Sequence, residues 1–315
     1  MRLKQNTAVP FTPWRIPSPA VLVLAGLLLP GGSVLLAWML CRRLLPGIGD
    51  WARQRLMRLL VLVALLQGCA TQLDLRPGPA LQDADAATAA SALRFQNLSA
   101  APAGANAFVT PDALQPGDIL LTSMPGFAAA GIELMTVAPV SHAALYIGDG
   151  EIVEAVRSGV GTRNIDEVMA EETLVLVMRH PDLSAAQARQ VREYALQKKG
   201  AGFNFLAVTL HIPFAVTRRF CELPLVPGMV RDACIRSMGV FLQVAARETR
   251  FFCSQLVLQA YRHAGVRVTD ADPRLISPAD LLHMREGDVS SYSIGKPLRY
   301  VGHLKYGRAM IAAAH

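Results

Sequence analysis

Fifteen residues, Ser141 to Ala155, constrain the fold of this chain more than any other stretch. Apolar side chains fill Ala143 to Ile147, Gly148-Asp149-Gly150 makes a turn, and apolar residues resume at Ile152 and Val153. This is the pattern of a β-hairpin. The turn length then decides which face each side chain takes. A two-residue Asp149-Gly150 loop pairs Gly148 with Glu151 and puts Glu154 opposite Leu145, on the face away from His142, because strand side chains alternate. A three-residue loop, with Gly150 as the left-handed residue of a bulge, puts Glu154 opposite Ala144 and on the face of His142. An odd-numbered loop is therefore expected, with imidazole and carboxylate on one face.

A second segment, Phe251-Phe252-Cys253-Ser254-Gln255-Leu256-Val257, reads as a helix start. Leu256, Val257, Ala260, Tyr261 and Ala264 follow helical spacing, and Gly265 marks the stop. Cys253 falls in the first turn, where unpaired N–H groups and the positive end of the helix dipole favour thiolate over thiol. Thiol, imidazole and carboxylate are the nucleophile, base and orienting group of a cysteine hydrolase. Their order along the chain is His142, Glu154, Cys253. Taken singly, each has a blander reading: Cys253 as a small buried hydrophobe, His142 as a structural strand residue, Glu154 as a solvated one.

Four stretches together resemble the circularly permuted papain-like amidases of the NlpC-type superfamily, in the YaeF/YiiX branch. They are Gln115-Pro116-Gly117-Asp118-Ile119-Leu120-Leu121, the His142 hairpin, Phe252-Cys253-Ser254, and Ile276-Ser277-Pro278-Ala279-Asp280-Leu281. The resemblance implies an α+β, permuted papain-like fold in which an antiparallel sheet packs on helices. It also implies a triad of Cys253, His142 and Glu154, with the acid twelve residues after the His, as here. Gln255 departs from the family pattern, which has Glu at that position. Ser141, Tyr146 and Ser254 are candidate substrate-binding residues.

Other chemistry is not indicated. His180 closes an apolar strand-like run, His211 lies in an apolar stretch and reads as packed, and His263 faces outward on the Cys253 helix. There is no HExxH, no paired CxxC, no Walker A loop and no GxGxxG, so neither a metal, a nucleotide nor another cofactor is expected.

The formal charge of +7 suggests nucleic acid only until its location is considered. Residues 1–68 hold eight of the 31 Lys and Arg and one of the 24 Asp and Glu, which leaves 23 of each for the rest. The basic excess belongs to a leader, and no nucleic-acid partner is expected. Residues 1–56 form that leader, with a candidate transmembrane segment over about 18–41 interrupted by Pro30-Gly31-Gly32 and followed by Arg42 and Arg43. Residues 57–69 resemble a lipoprotein signal ending at Leu66-Gln67-Gly68-Cys69, which makes Cys69 a candidate lipidation site. Ala70 after it favours the outer membrane. Two alternatives stay open: Leu59 to Cys69 as the end of a buried helix, and translation starting at Met39 or Met57.

Residues 70–110, rich in Ala and Pro, read as a tether with a short helix between Leu81 and Leu93, followed by a catalytic domain over 111–290 and a tail over 291–315. An apolar insertion, about 206–244, holds Cys221 and Cys234, and packed helices over the cleft or an acyl- or membrane-contacting lid are its two readings. Cys221 and Cys234 suit a disulfide in an oxidising compartment, provided Cys253 stays free. The expected function is an envelope-anchored cysteine amidase or peptidase, its domain periplasmic, acting on peptidoglycan peptide or lipid amide. A lipid acyl hydrolase or acyltransferase is one alternative, and a non-catalytic envelope-binding lipoprotein is the other.

Overall fold

The computed structural model describes residues 55, 71–74, 92–102, 107–222, 226–245 and 249–307. The chain divides into two units, Met1–Val61 and Leu62–His315. Of the first, only Arg55 is described, in a helix. The leader, the segment over 18–41, the lipobox and Cys69 lie outside the described residues, as does most of the expected helix between Leu81 and Leu93.

Two short strands come first, β1 (Thr71–Asp74) and β2 (Ala92–Phe95), paired antiparallel. The main sheet follows. It comprises β3 (Ile119–Ser123), β4 (His142–Gly148), β5 (Glu151–Val156), β6 (Gly159–Asn164), β7 (Leu174–Arg179) and, 120 residues after β7 ends, β10 (Arg299–Tyr306). Its order is β10-β7-β3-β4-β5-β6, and every neighbouring pair is antiparallel. Every residue of β3 and β4 is buried, so these central strands read as continuous apolar runs. One face carries Ile119, Leu121, Leu145 and Met178. Against it pack α3 (Ala185–Gln197), through Val191 and Ala195, and α7 (Cys253–His263), through Leu256, Val257, Ala260 and Tyr261. The other face carries Leu120, Ala144, Ile152 and Val177 beneath Ile165 and Val168 of α2 (Ile165–Glu171). Each such aliphatic side chain contributes roughly 1.5–3 kcal/mol by leaving water.

The Gln115-Pro116-Gly117-Asp118 stretch is explained by its contacts. Asp118, buried at the start of β3, accepts two hydrogen bonds from Arg179, from Nε and Nη2, both at 2.6 Å, and one from Gln115 N–H at 2.8 Å. Gly117 has φ 96°, and a Cβ there would lie 2.3 Å from Leu183 Cδ2. Only glycine fits. Tyr261 of α7 donates its hydroxyl to the Gly117 carbonyl, which ties the cysteine helix to the first strand of the sheet.

Two expected boundaries change. The end of the tether belongs to the domain: Ala100 and Ala101 are buried, and Arg285 donates to the carbonyls of Asn97, Ser99 and Ala100 at 3.0, 2.8 and 2.7 Å. The expected tail contains β10, which closes one side of the sheet. Both were missed because long-range pairing, not local pattern, orders these segments.

The apolar insertion is helical. It contains α4 (Phe205–Thr217), α5 (Gly228–Met238) and α6 (Val240–Ala245). Its neck is a two-residue parallel ladder of β8 (Gly202–Phe203) with β9 (Arg250–Phe251), so the insertion leaves the domain and returns immediately before Cys253. A Cys221–Cys234 disulfide links the end of α4 to α5, and Cys253 is free. Among the described residues no helix is long and apolar enough to cross a membrane.

Candidate active site

The register of the hairpin brings His142 and Glu154 together. Glu154 lies opposite Ala144, as an odd-numbered loop requires, yet the loop itself has two residues: Gly148 pairs with Glu151 across Asp149-Gly150. The missing residue is absorbed by a β-bulge between Tyr146 and Gly148, which leaves Ile147 outside the pairing. Asp149 at φ 56° and Gly150 at φ 74° suit a tight two-residue turn, and Gly148 at φ 97° allows the bulge beside it. The expected face is therefore found, but the expected loop is not. His142 Nε2 lies 2.7 Å from Glu154 Oε2, with both side chains 6% exposed.

Cys253 arrives from the other direction, at the first position of α7. The residue before it, Phe252, offers no side-chain cap, so the first-turn N–H groups keep their capacity for an anion. His142 and the backbone N–H groups of Ala143 and Ser254 are the groups that act on the sulfur. Since Nε2 is given to Glu154, Nδ1 is the ring nitrogen left for the sulfur.

The charges in this cluster support each other. Burial alone would lower the His142 pKa, but its hydrogen bonds to Cys253 and Glu154 and their negative charges push it up to about 10. Burial would raise the Cys253 thiol, yet the bond and charge of His142 and the two backbone N–H groups bring it below the ordinary thiol range. Glu154, which burial would raise, is held below the usual carboxylate range by His142 and Arg163. Both shifts favour thiolate and imidazolium over the neutral pair.

Beside Cys253 lies a cleft walled by Ile132 and Thr136 of α1 (Phe127–Thr136), Val208, His211, Phe214 and Ala215 of α4, and Phe252 and Pro278. His211 stacks edge-on to Phe252 and Phe214, and its Nε2 donates to the Arg274 carbonyl at 3.0 Å, so it is packed as expected while also lining the cleft. Ser141 lines the cleft too. Ser254 is fully buried, its hydroxyl spent on the Ile276 carbonyl at 2.6 Å. Tyr146 is not brought to the cleft. It sits at the turn end of β4, accepting the Gly150 N–H at 3.1 Å.

The Ser277-Pro278-Ala279-Asp280 stretch starts a short helix, α8 (Pro278–Leu282), with a capping box between Ser277 and Asp280. Asp280 also accepts Arg218 Nη2 at 2.6 Å and Nη1 at 2.9 Å, which pins the end of α4 beside Cys253. Sequence reasoning missed Arg218 and Arg163. Arg163 faces Glu154 from β6, and its signal was available, since a strand paired antiparallel to β5 puts position 163 diagonal to 154. Among the described residues no group of three His, Cys, Asp or Glu is arranged to hold a metal ion.

A mixed α/β domain with a buried Cys–His–Glu cluster at the junction of sheet and helix is the class this geometry defines. Over 246 residues, 77% of its length, the chain is 34% identical to "Probable lipoprotein peptidase YaeF" of Escherichia coli (strain K12), of which it covers 89%. The chain belongs to the YaeF/YiiX family of NlpC-like proteins. A crystal structure of the metalloprotein YiiX from Escherichia coli O157:H7 matches with a TM-score of 0.36 and 17% identity, over 60% of this chain and 96% of that one. No family model matches the chain.

Proposed function

We propose that this chain is a cysteine hydrolase of the amidase or peptidase type, with a permuted papain-like catalytic domain anchored in the bacterial envelope. The observation that supports this reading is the His142–Glu154 pair, 2.7 Å apart and buried, with His142 lowering the thiol of Cys253 at the start of α7. In the reaction, the thiolate attacks the carbonyl carbon of an amide, and the C=O electron pair moves to oxygen, stabilised by N–H groups of the first turn of α7. His142 then gives its proton to the departing amine, the C–N bond breaks, and a thioester remains on Cys253. Water, deprotonated by His142, hydrolyses the thioester and restores the thiolate. Glu154 keeps the ring oriented throughout and stabilises its protonated form each time that form returns.

The names of the relatives support the setting. YaeF is called a lipoprotein peptidase, which agrees with the lipobox ending at Cys69 and with a domain held at a membrane. Peptidoglycan peptides and lipid amides are the amides such an enzyme meets. A second reading, acyl hydrolase or acyltransferase, is favoured by one observation: the cleft next to Cys253 is lined mainly by apolar side chains.

Electrophilic probes built on a peptidoglycan peptide and on an acyl amide decide between these readings. Wild type labels with one probe class, and Cys253→Ala labels with neither. Equal labelling of both proteins removes the catalytic proposal. Globomycin treatment tests the anchor separately: an unchanged mobility of the mature form removes Cys69 as the lipidated residue.

A further inference from the structure

Behind the Cys253–His142–Glu154 cluster the charges continue inward. Arg163, on β6, lies diagonally across from Glu154 on β5, with Nε 3.0 Å from Glu154 Oε1 and Nη2 3.4 Å from Oε2. The same Nη2 donates to Glu172 Oε1 at 2.9 Å, and Nη1 donates to Glu171 Oε2 at 2.8 Å. Glu172 is 1% exposed and Arg163 16%, whereas Glu171 is 66% exposed and contributes little through solvent. The guanidinium thus lies between two buried carboxyl groups, Glu154 toward His142 and Glu172, whose pKa its burial raises, on the other side.

This arrangement is a requirement of burial. Without the guanidinium, the Glu154 and Glu172 carboxylates share a desolvated site with only His142 as counter-charge, and one of them takes up a proton. The planar fork also fixes direction. From the β6 side Arg163 flanks both Glu154 oxygens, Nε in ion-pair contact with Oε1 at 3.0 Å and Nη2 donating to Oε2 at 3.4 Å, and so backs the carboxylate that meets His142.

We infer that Arg163 is a positioning residue of the site, acting through Glu154 to hold His142 and so to keep Cys253 a thiolate, with Glu172 as its buried anchor. The inference rests on the cysteine-hydrolase reading and deepens it. The groups facing the cluster are His142 from β4, Glu154 from β5, Arg163 from β6, Glu171 and Glu172 at the end of α2, and Cys253 from α7.

The pH dependence of Cys253 alkylation by iodoacetamide tests it with no substrate needed. In that reaction the thiolate sulfur forms a bond to the methylene carbon and iodide leaves; Cys221 and Cys234, held in their disulfide, do not compete. Wild type alkylates at a pH below the ordinary thiol range. Arg163→Met shifts the profile to higher pH and slows alkylation about tenfold near about pH 6. Arg163→Lys, which keeps the charge but not the fork, recovers only part of the rate. In a Glu154→Gln background, Arg163→Met adds nothing, because the residue through which it acts has already lost its charge.

The failures are separable. A wild-type profile in the ordinary thiol range overturns the cysteine reading itself. A depressed wild-type profile left unmoved by Arg163→Met overturns the role of Arg163 alone. Additive effects of Arg163→Met and Glu154→Gln overturn the route through Glu154. Thermal melts run on each variant identify one that does not fold. If Arg163→Met is such a variant, Arg163→Lys decides: a profile identical to wild type overturns the claim that the fork positions Glu154.

Discussion

His142 gives Nε2 to Glu154 at 2.7 Å, and this single bond decides which ring nitrogen meets the sulfur. The pH dependence follows from the two shifted groups. Activity rises as pH climbs through the depressed Cys253 value, stays level while thiolate and imidazolium coexist, and falls as His142 loses its proton near about 10. The measurement is kcat/KM against pH on whichever probe class labels wild type. For His142→Ala, the Cys253 thiol returns toward the ordinary range near about 8.5, read by ultraviolet thiolate absorbance. A mutant thiol still ionising where the wild-type one does contradicts His142 as the cause of the shift.

At the scale of elements, the register of β4 on β5 is what brings His142 and Glu154 together. Deleting Ile147 removes the extra residue and leaves a regular two-residue hairpin in which Ala144 still faces Glu154, so the carboxylate stays on the face of His142. The expected result is a folded protein that keeps its labelling by the active-site probe; a loss of about a hundredfold or more contradicts register as what brings the pair together. The α4 to α8 link behaves differently, as a matter of stability. Asp280 accepts Arg218 at 2.6 Å with both side chains largely buried, so Asp280→Ala leaves the guanidinium with Glu222, at 3.4 Å, as its remaining carboxylate and costs about 3 kcal/mol in urea unfolding. Burial would raise the Asp280 pKa, but the charge of Arg218 and the bonds to it and to Ser277 lower it. Its stabilising contribution is therefore present above the ordinary carboxylate range and is lost as pH falls through the depressed value.

On the scale of the molecule, the helical insertion is held to the domain by contacts that include the β8–β9 neck and Arg218 on Asp280, and is braced within itself by the Cys221–Cys234 disulfide. Closing a loop of 13 residues stabilises by roughly 3 kcal/mol in the chain-entropy picture. Reduction, or the Cys221→Ser and Cys234→Ser pair, is expected to lower the midpoint of thermal unfolding. A midpoint unchanged by reduction shows that the contacts to the domain suffice.

Periodicity and residue type carried much of this protein. The apolar runs in Ile119–Ser123 and Leu174–Arg179, the helical spacing after Cys253 and the Gly-Asp-Gly turn are local signals, because side-chain burial against one sheet face or one helix stripe imposes them residue by residue. The three side chains of the cluster were legible for the same reason. What local pattern does not encode is pairing between distant segments. β6 has two glycines in Gly159-Val160-Gly161-Thr162-Arg163-Asn164 and no alternation, β10 lies beyond the apparent domain end, and residues 97–100 dock only because Arg285 reaches their carbonyls. Arg163 lies diagonal to Glu154 only once β6 has joined β5. Sequence alone singled out Cys253, His142 and Glu154 as candidates and the helix start and hairpin that carry them. Tertiary structure decided the bulge, the cleft wall and the buried cation behind the acid, since those depend on which strands meet and how the chain excludes water between them.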